Sequence, residues 1–443
     1  MDLLPKQDLS INIENKHKYG EVHTPYTLIE QMFSLLPASI FSDPSKKWLD
    51  PGAGRGYFSL FLFEKLMVGL STLFPDETAR RTHILTHMLW MVEINDIHIP
   101  HLQNLFPNAN IIHADFLSLN ANPTPLPTFD IIIGNPPFNS GGMKKVPTNI
   151  ERNKKQDGQT IWSDFIKQSI SFMQPNGLLL FIVPSIWMKE DKQRMYFYMT
   201  QYKLHKLHAL TNTEMNSYFK GHAQTPSCFF LLEKKSTDKK VLLYDKDAPT
   251  ENHYVEFPLR HENIIPVMCA HVIKQLLPYV DKYGSLSSIV KSNLPNKLIR
   301  FSDKKTKQYP FPNIKTCILR EKIQPELVVE YSDKPCPFYG QKKLVMAHGM
   351  YGFPYIDEEG TYGISNRDKY IYMSDNLQHL QKLRRFLSSD IAFYLYNATR
   401  YRMKYLEKYI FSYLPNVLLM REEEVNKILS ISVPQKNKYK TIT

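Results

Sequence analysis

The chain has 443 residues, 43% hydrophobic and 22% charged, a globular balance with enough apolar material for a core that needs no disulfide or metal staple. Its four cysteines, Cys228, Cys269, Cys317 and Cys336, form no C-x-x-C pair, which argues against a zinc site or a disulfide framework. Residues 1–21 lack the apolar stretch of a signal peptide, and the longest apolar run, Leu178–Val183, is too short to span a bilayer. The expectation is a soluble, intracellular protein of two domains, without metal or membrane association. Of the net charge of +12, residues 1–240 carry +3 and residues 241–443 carry +9. A basic excess in the second half suits nucleic acid, and suits plain solubility as well.

In chain order, short apolar runs end in turn residues: Lys47–Leu49 before Asp50, Leu89–Val92 before Glu93, Asn110–Ile112 before His113, Phe129–Ile133 before Gly134. Leu178–Val183 follows a turn, Gln174-Pro175-Asn176-Gly177, and Cys228–Leu232 is a further run. Helical stretches such as Leu60–Leu70 and Trp162–Met173 lie between them, and Ser71–Thr86 reads as an additional helical segment. Strands alternating with helices predict a mostly parallel sheet, with ligands at the C-terminal strand ends. Asn139–Gln159, polar and basic with Gly141-Gly142, reads as a mobile surface loop. The charged stretch at 234–240 marks the expected boundary between domains 1–240 and 241–443. Beyond it no βαβ rhythm is visible, and Asn376–Ile410 is helical in pattern.

Asp50-Pro51-Gly52-Ala53-Gly54-Arg55-Gly56-Tyr57-Phe58 sits between a strand and a helix, where glycines let the backbone turn tightly against a ligand. Asp50 would repel a pyrophosphate but suits the cationic methionine part of S-adenosylmethionine. Glu93 ends the next strand, where a carboxylate accepts ribose hydroxyls, although it lies further from the glycine turn than the usual twenty or so residues. Asn95 is the alternative. Asp115-Phe116 follows the third strand, where the carboxylate can accept an adenine amino group and the ring can cover the base face.

Phe129–Phe138 carries the sharpest signal: a buried strand that ends abruptly in Asn135-Pro136-Pro137-Phe138. Two prolines fix φ and remove two backbone donors. What remains is a set of acceptors, the Asn135 side-chain oxygen and a main-chain carbonyl. Aimed at the two hydrogens of an exocyclic amino group, they return its lone pair from the ring to the nitrogen, which can then attack a methyl in line. Phe138 offers a flat face for the base.

With these residues placed, the chain resembles the amino-methyltransferases of restriction–modification systems, specifically the TaqI-like, gamma-class adenine-N6 DNA methyltransferases, most strongly from Tyr19 to Glu233. The resemblance implies a Rossmann-like S-adenosylmethionine-dependent methyltransferase domain of α/β class, followed by a C-terminal α+β target-recognition domain. It implies that S-adenosyl-L-methionine is the cofactor, with Thr24 and Pro25 in Gly20-Glu21-Val22-His23-Thr24-Pro25 enclosing its methionine part. Asp50, Gly52, Gly54, Glu93, Asp115, Phe116 and Asn135 complete the cofactor set. Asn135, Pro136, Pro137 and Phe138 match the family's N/D-P-P-Y/F motif, and Phe219 is the best match for a second aromatic that covers the other face of the target base. Similarity beyond Val241 is one of layout. There, Arg400, Arg402 and Lys404, interleaved with tyrosines, suit phosphate contact, and a solvated helix face explains them equally well.

These implications point to double-stranded DNA as partner, with the target adenine rotated out of the helix, and to a possible separate restriction endonuclease. No nuclease motif is evident in the second half, and the early cofactor motifs leave no room for one before them. An RNA or protein-glutamine methyltransferase and a non-catalytic DNA-binding subunit are the competing readings.

Overall fold

A computed structural model describes residues 4, 6–10, 12–119, 126–141, 159–191, 193–221, 223, 225–260, 264–293, 296–319, 325–347, 354–365, 369–401 and 406–434. They fold as two compact units, Met1–Tyr244 with Glu256–Ile265, and Asp245–Val255 with Pro266–Thr443.

The first unit opens with helix α1 (Ile13–Tyr19), capped by the Asn12 side chain on the amides of Glu14 and Asn15 and ended by Gly20 at φ 72°. Helix α2 (Tyr26–Phe33) follows, then strand β1 (Trp48–Asp50), α3 (Tyr57–Gly69), α4 (Glu77–His83), β2 (Leu89–Glu93), α5 (Ile99–Leu105), β3 (Asn110–His113) and β4 (Phe129–Gly134). A ribbon of β5 (Asn139–Ser140) and β6 (Gln159–Thr160) precedes α6 (Trp162–Phe172), β7 (Met173–Pro184), α7 (Met195–Thr200), β8 (Tyr202–Leu210), α8 (Asn212–Tyr218), β9 (Ser227–Ser236), β10 (Lys240–Tyr244) and β11 (Tyr254–Pro258).

Nine of these strands form one sheet in the order β11-β10-β8-β9-β7-β4-β1-β2-β3. Neighbours from β3 through β7 run parallel, and β9 runs antiparallel to both β7 and β8. Its central strands are apolar on both faces: Leu49, Met91, Ile132, Leu179 and Phe181 are fully buried. Such a sheet needs helices on each side to keep water out. From β1 the chain winds outward through β2 and β3, then returns to the other flank of β1 as β4. The order therefore reverses between β1 and β4, which opens a crevice beyond their C-terminal ends.

Several expectations change here. Gln174-Pro175-Asn176-Gly177 is not a free turn: Met173 pairs with Phe129 and Leu178 with Ile131, so these residues bulge within β7, with Asn176 at φ 61°. The charged stretch at 234–240 lies inside the sheet, as the end of β9, a tight turn and the start of β10. Accordingly the first unit runs on to Tyr244 and regains Glu256–Ile265. The segment expected as a mobile loop has paired ends, Asn139 opposite Thr160 and Ser140 opposite Gln159; its residues 142–158 lie outside the described residues.

Among its described residues the second unit holds α9 (Ala270–Tyr283), eight short or medium strands and three further helices. Strands β12 (Lys291–Ser292), β16 (Lys343–Ala347), β17 (Tyr355–Asp357) and β19 (Lys369–Met373) form one sheet; β13 (Phe301–Ser302), β14 (Phe311–Leu319), β15 (Pro325–Ser332) and β18 (Gly363–Ile364) form another. Ile314, Val345, Ile364 and Ile371 share a buried core. Helices α10 (Leu377–Leu387), α11 (Asp390–Leu395) and α12 (Glu422–Leu429) complete it. The continuous helical pattern read over 376–410 breaks twice. Ser389 caps a new helix on the Ala392 amide, and the Asn397 side chain donates to the carbonyls of Phe393 and Tyr394, competing with continuation.

Candidate active site

The glycine turn joins β1 to α3. Gly54 (φ 52°) and Gly56 (φ 79°) adopt the left-handed conformation that favours glycine. A Cβ on Gly54 would meet open space, whereas one on Gly56 would strike Leu102 and Phe106, so Gly56 serves helix packing and Gly54 leaves a bare approach for a ligand. Gly52 donates weakly to Asp50 Oδ1 at 3.5 Å, and Ser59 Oγ donates to Asp50 Oδ2 at 3.0 Å. Burial pushes the Asp50 carboxyl up to about 7. A buried acid at a strand end, hydrogen-bonded but with no ion pair among the described residues, fits a cationic group: its ionised form needs one.

Glu93 ends β2 and is tied to the turn. It accepts the Gly54 amide at 2.6 Å and the Asn95 amide at 2.7 Å, while burial raises its pKa. Each oxygen retains a lone pair for a hydroxyl. Asn95, the alternative, is 1% exposed; its oxygen accepts the Ile97 amide and its Nδ2 donates to Glu21. Glu21 gathers a cluster that sequence reasoning left aside: its Oε1 lies 3.2 Å from His23 Nε2 and 3.0 Å from His98 Nε2. Burial lowers the His23 pKa to about 4, against the opposing charge of Glu21. Glu21 and His23 are near neighbours in sequence, but only the fold brings His98 and Asn95 to them, so no spacing signals the cluster.

Asp115 caps a short 3-10 turn after β3, accepting the Leu117 amide at 3.0 Å and the Ser118 hydroxyl at 2.9 Å. Phe116 departs from expectation. Its ring is 2% exposed and packs against Phe165 and Phe172, with centroids 5.4 and 5.8 Å away, so it is a core residue with no free face for a base.

Asn135 follows directly on β4. Gly134 stands beside Asp50: a Cβ there would lie 3.4 Å from Asp50 Oδ1, which puts the tetrapeptide next to the buried acid. Asn135 Nδ2 donates to Thr24 Oγ1 at 3.0 Å. Thr24 and Pro25 lead into α2, where Pro25 occupies the N-cap, and Gln7 holds this segment by donating to Thr24 O at 3.0 Å and accepting from Tyr26 N at 2.7 Å. Pro137 borders Gly52, and a side chain on Gly20 would overlap the Asn139 carbonyl and Pro137. Phe138 is partly buried, and its carbonyl accepts the Ile161 amide at 3.2 Å.

Phe219, at the end of α8, is 5% exposed. With Gln7, Asp8, His23, Tyr218 and Lys220 it lines a cavity of about 360 Å3. The structure thus brings Thr24, Pro25, Asp50, Gly52, Gly54, Glu93 and Asn135–Phe138 to the ends of β1, β2 and β4. Arg400 lies in the second unit after α11, and Arg402 and Lys404 fall outside the described residues. Among the described residues no cluster of His, Cys, Asp or Glu is arranged to hold a metal, and no helix is long and apolar enough to cross a membrane.

Strand order 3-2-1-4 is that of a doubly wound, nucleotide-binding α/β sheet, here with a reversed strand beyond, acids at the ends of β1 and β2 and an Asn-Pro-Pro-Phe exit from β4. Residues 72–217 match the family model described as Eco57I restriction-modification methylase. An uncharacterized adenine-specific methylase of Mycoplasma pneumoniae is 37% identical over 90 residues, 20% of this chain and 21% of that one. The type II methyltransferase M.TthHB8I of Thermus thermophilus is 31% identical over 183 residues, 39% of this chain and 36% of that one. The chain therefore spans well under half the length of either relative. Among solved structures, the type I restriction enzyme EcoKI M protein has a TM-score of 0.38 at 20% identity, covering 50% of this chain and 48% of its own.

Proposed function

We propose that this protein transfers the methyl group of S-adenosyl-L-methionine to N6 of an adenine flipped out of double-stranded DNA. The observation that carries the proposal is the placement of Asn135-Pro136-Pro137-Phe138 at the end of β4, beside the buried Asp50 carboxylate at the end of β1.

The cofactor supplies an electrophilic methyl on a cationic sulfur. Asp50 balances positive charge, Glu93 accepts ribose hydroxyls, and Thr24 and Pro25 close over the methionine part. Ile94, 45% exposed directly after Glu93, gives an apolar surface for a flat base. Asp115 retains acceptor capacity for an adenine amino group, and Phe116 acts through the core beneath it. On the target side, Asn135 Oδ1 and the Pro136 carbonyl accept the two amino hydrogens, and localise the lone pair on nitrogen. Pro137 stiffens the loop; Phe138 and Phe219 flank the base.

In this reading the first unit is the catalytic domain and the second is the target-recognition domain, whose basic excess meets phosphate through side chains that include Arg400, Arg402 and Lys404. In this reading a separate restriction endonuclease is a candidate partner.

Incubation of the full chain with methyl-labelled cofactor and, in parallel, duplex DNA, RNA and protein tests the proposal. N6-methyladenine at defined DNA sites is expected. Label on RNA or on protein glutamine selects the competing enzyme class, and DNA binding without transfer selects the non-catalytic subunit. Affinity for duplex DNA should fall steeply with salt, because each neutralised phosphate releases counterions. Replacing Arg400, Arg402 and Lys404 with Ala should flatten that slope by about one unit per true contact.

A further inference from the structure

The side-chain amide of Asn135 has two ends of opposite character. An acceptor must face an amino group that is to be activated; turned over, the amide presents N–H to N–H and repels it. Something must therefore hold the amide the right way round. In the structure Nδ2 donates to Thr24 Oγ1 at 3.0 Å, from a segment far away in sequence. Thr24 is 3% exposed. Its backbone is fixed on both sides, by Gln7 on its carbonyl and by the start of α2 at Tyr26. The hydroxyl accepts from Nδ2 in a nearly dry place, where an unmatched amide N–H carries a full desolvation cost.

We infer that Thr24 is a positioning residue for methyl transfer: it binds the Asn135 Nδ2 and so keeps Oδ1 toward the amino nitrogen of the target. The inference rests on the proposed role of Asn135 as acceptor for that amino group. It goes beyond enclosure of the cofactor, which asks only for bulk at Thr24 and does not use its hydroxyl.

Thr24→Val keeps the shape and removes the acceptor, and Thr24→Ser keeps the acceptor and removes a methyl. Single-turnover methylation of duplex DNA by the full chain, with cofactor and DNA affinities measured separately, distinguishes the two roles. Thr24→Val should slow the chemical step on the order of tenfold to a hundredfold, the loss expected when a buried amide is left unpaired. Its cofactor and DNA dissociation constants should stay within about twofold, and Thr24→Ser should recover most of the rate. A carboxylate offers an acceptor whichever way it turns, so in an Asn135→Asp background the extra loss from Thr24→Val should largely vanish. An unchanged rate in Thr24→Val overturns the inference, as does a loss that appears wholly as weaker cofactor binding, or one undiminished beside Asn135→Asp. If the unsubstituted protein yields N6-methyladenine, such a result removes only the role of Thr24. If it yields none, the reading of Asn135 falls and this inference with it.

Discussion

The two units treat buried charge in opposite ways. In the first, Asp50 and Glu93 are buried at strand ends with hydrogen bonds from Ser59, Gly52, Gly54 and Asn95, and burial raises both pKa values. In the second, Lys343 is wholly buried but matched: its Nζ lies 2.5 Å from Asp357 and donates to Gln341 O, and Asp357 also accepts the amides of Thr361 and Tyr362. A charge closed within its own hydrogen-bond set holds a local structure in shape. An acid left electrostatically incomplete in a crevice is a place for a ligand to finish.

The largest expected effect tests the first half of that contrast. Asn135→Ala should cut methyl transfer by a factor on the order of a thousand or more, comparable to removing a key polar group from a preorganised site. Cofactor affinity by calorimetry should hardly change; a mild loss of rate would deny the site its centre. Next in size, Asp357→Ala should lower the stability of the second unit by about 3–5 kcal/mol, since it leaves Lys343 buried and unpaired. Denaturant unfolding with probes in each unit would show it, and cofactor binding should persist. Equal stability would mean that the Lys343–Asp357 pair is dispensable.

Smaller is Glu93→Ala, which should weaken S-adenosylmethionine binding by about 1.5–3 kcal/mol, the loss of a hydrogen bond to a charged group. Unchanged affinity would move the ribose elsewhere. The smallest effect is one of pH. The Asp50 carboxyl, raised to about 7 by burial, is neutral below that value and anionic above it. A cationic ligand prefers the anion, so affinity should rise as pH increases from 6 to 8, by at most about tenfold per unit below the pKa. Binding near pH 7 should release a proton to buffer, and Asp50→Asn should flatten the profile. A pH-independent affinity would remove Asp50 from the cation's surroundings.

Much of the first unit was legible in sequence because its chemistry stands where strands end. Trp48–Asp50, Leu89–Glu93, Asn110–His113 and Phe129–Gly134 are apolar runs that stop at polar residues, and each became a strand. Tyr202–Leu210 escaped notice for a physical reason. Leu204, Leu207 and Leu210 are buried at every third position, and register shifts against β9 break the two-residue alternation that marks a strand. Thr24 and Asn135, 111 residues apart, meet only through folding. The second unit was illegible for a related reason: several of its strands have only two or three residues, and pairings such as Lys291 with Ile371 join distant segments. Phe116 shows the opposite error, an aromatic beside Asp115 that belongs to the core.

The short ribbon β5–β6 has a consequence for how such a protein can vary. Asn139 and Ser140 leave the Asn-Pro-Pro-Phe exit, and Gln159 and Thr160 return just before α6, with their backbones paired. The two ends of the intervening excursion are thus held at strand spacing whatever lies between them. Lengthening a closed loop costs little, about 0.6 kcal/mol per doubling. A change in the length of sequence between Ser140 and Gln159 therefore leaves the paired ends in place, and with them Asn135, fastened to Thr24 on one side and leading to the ribbon on the other.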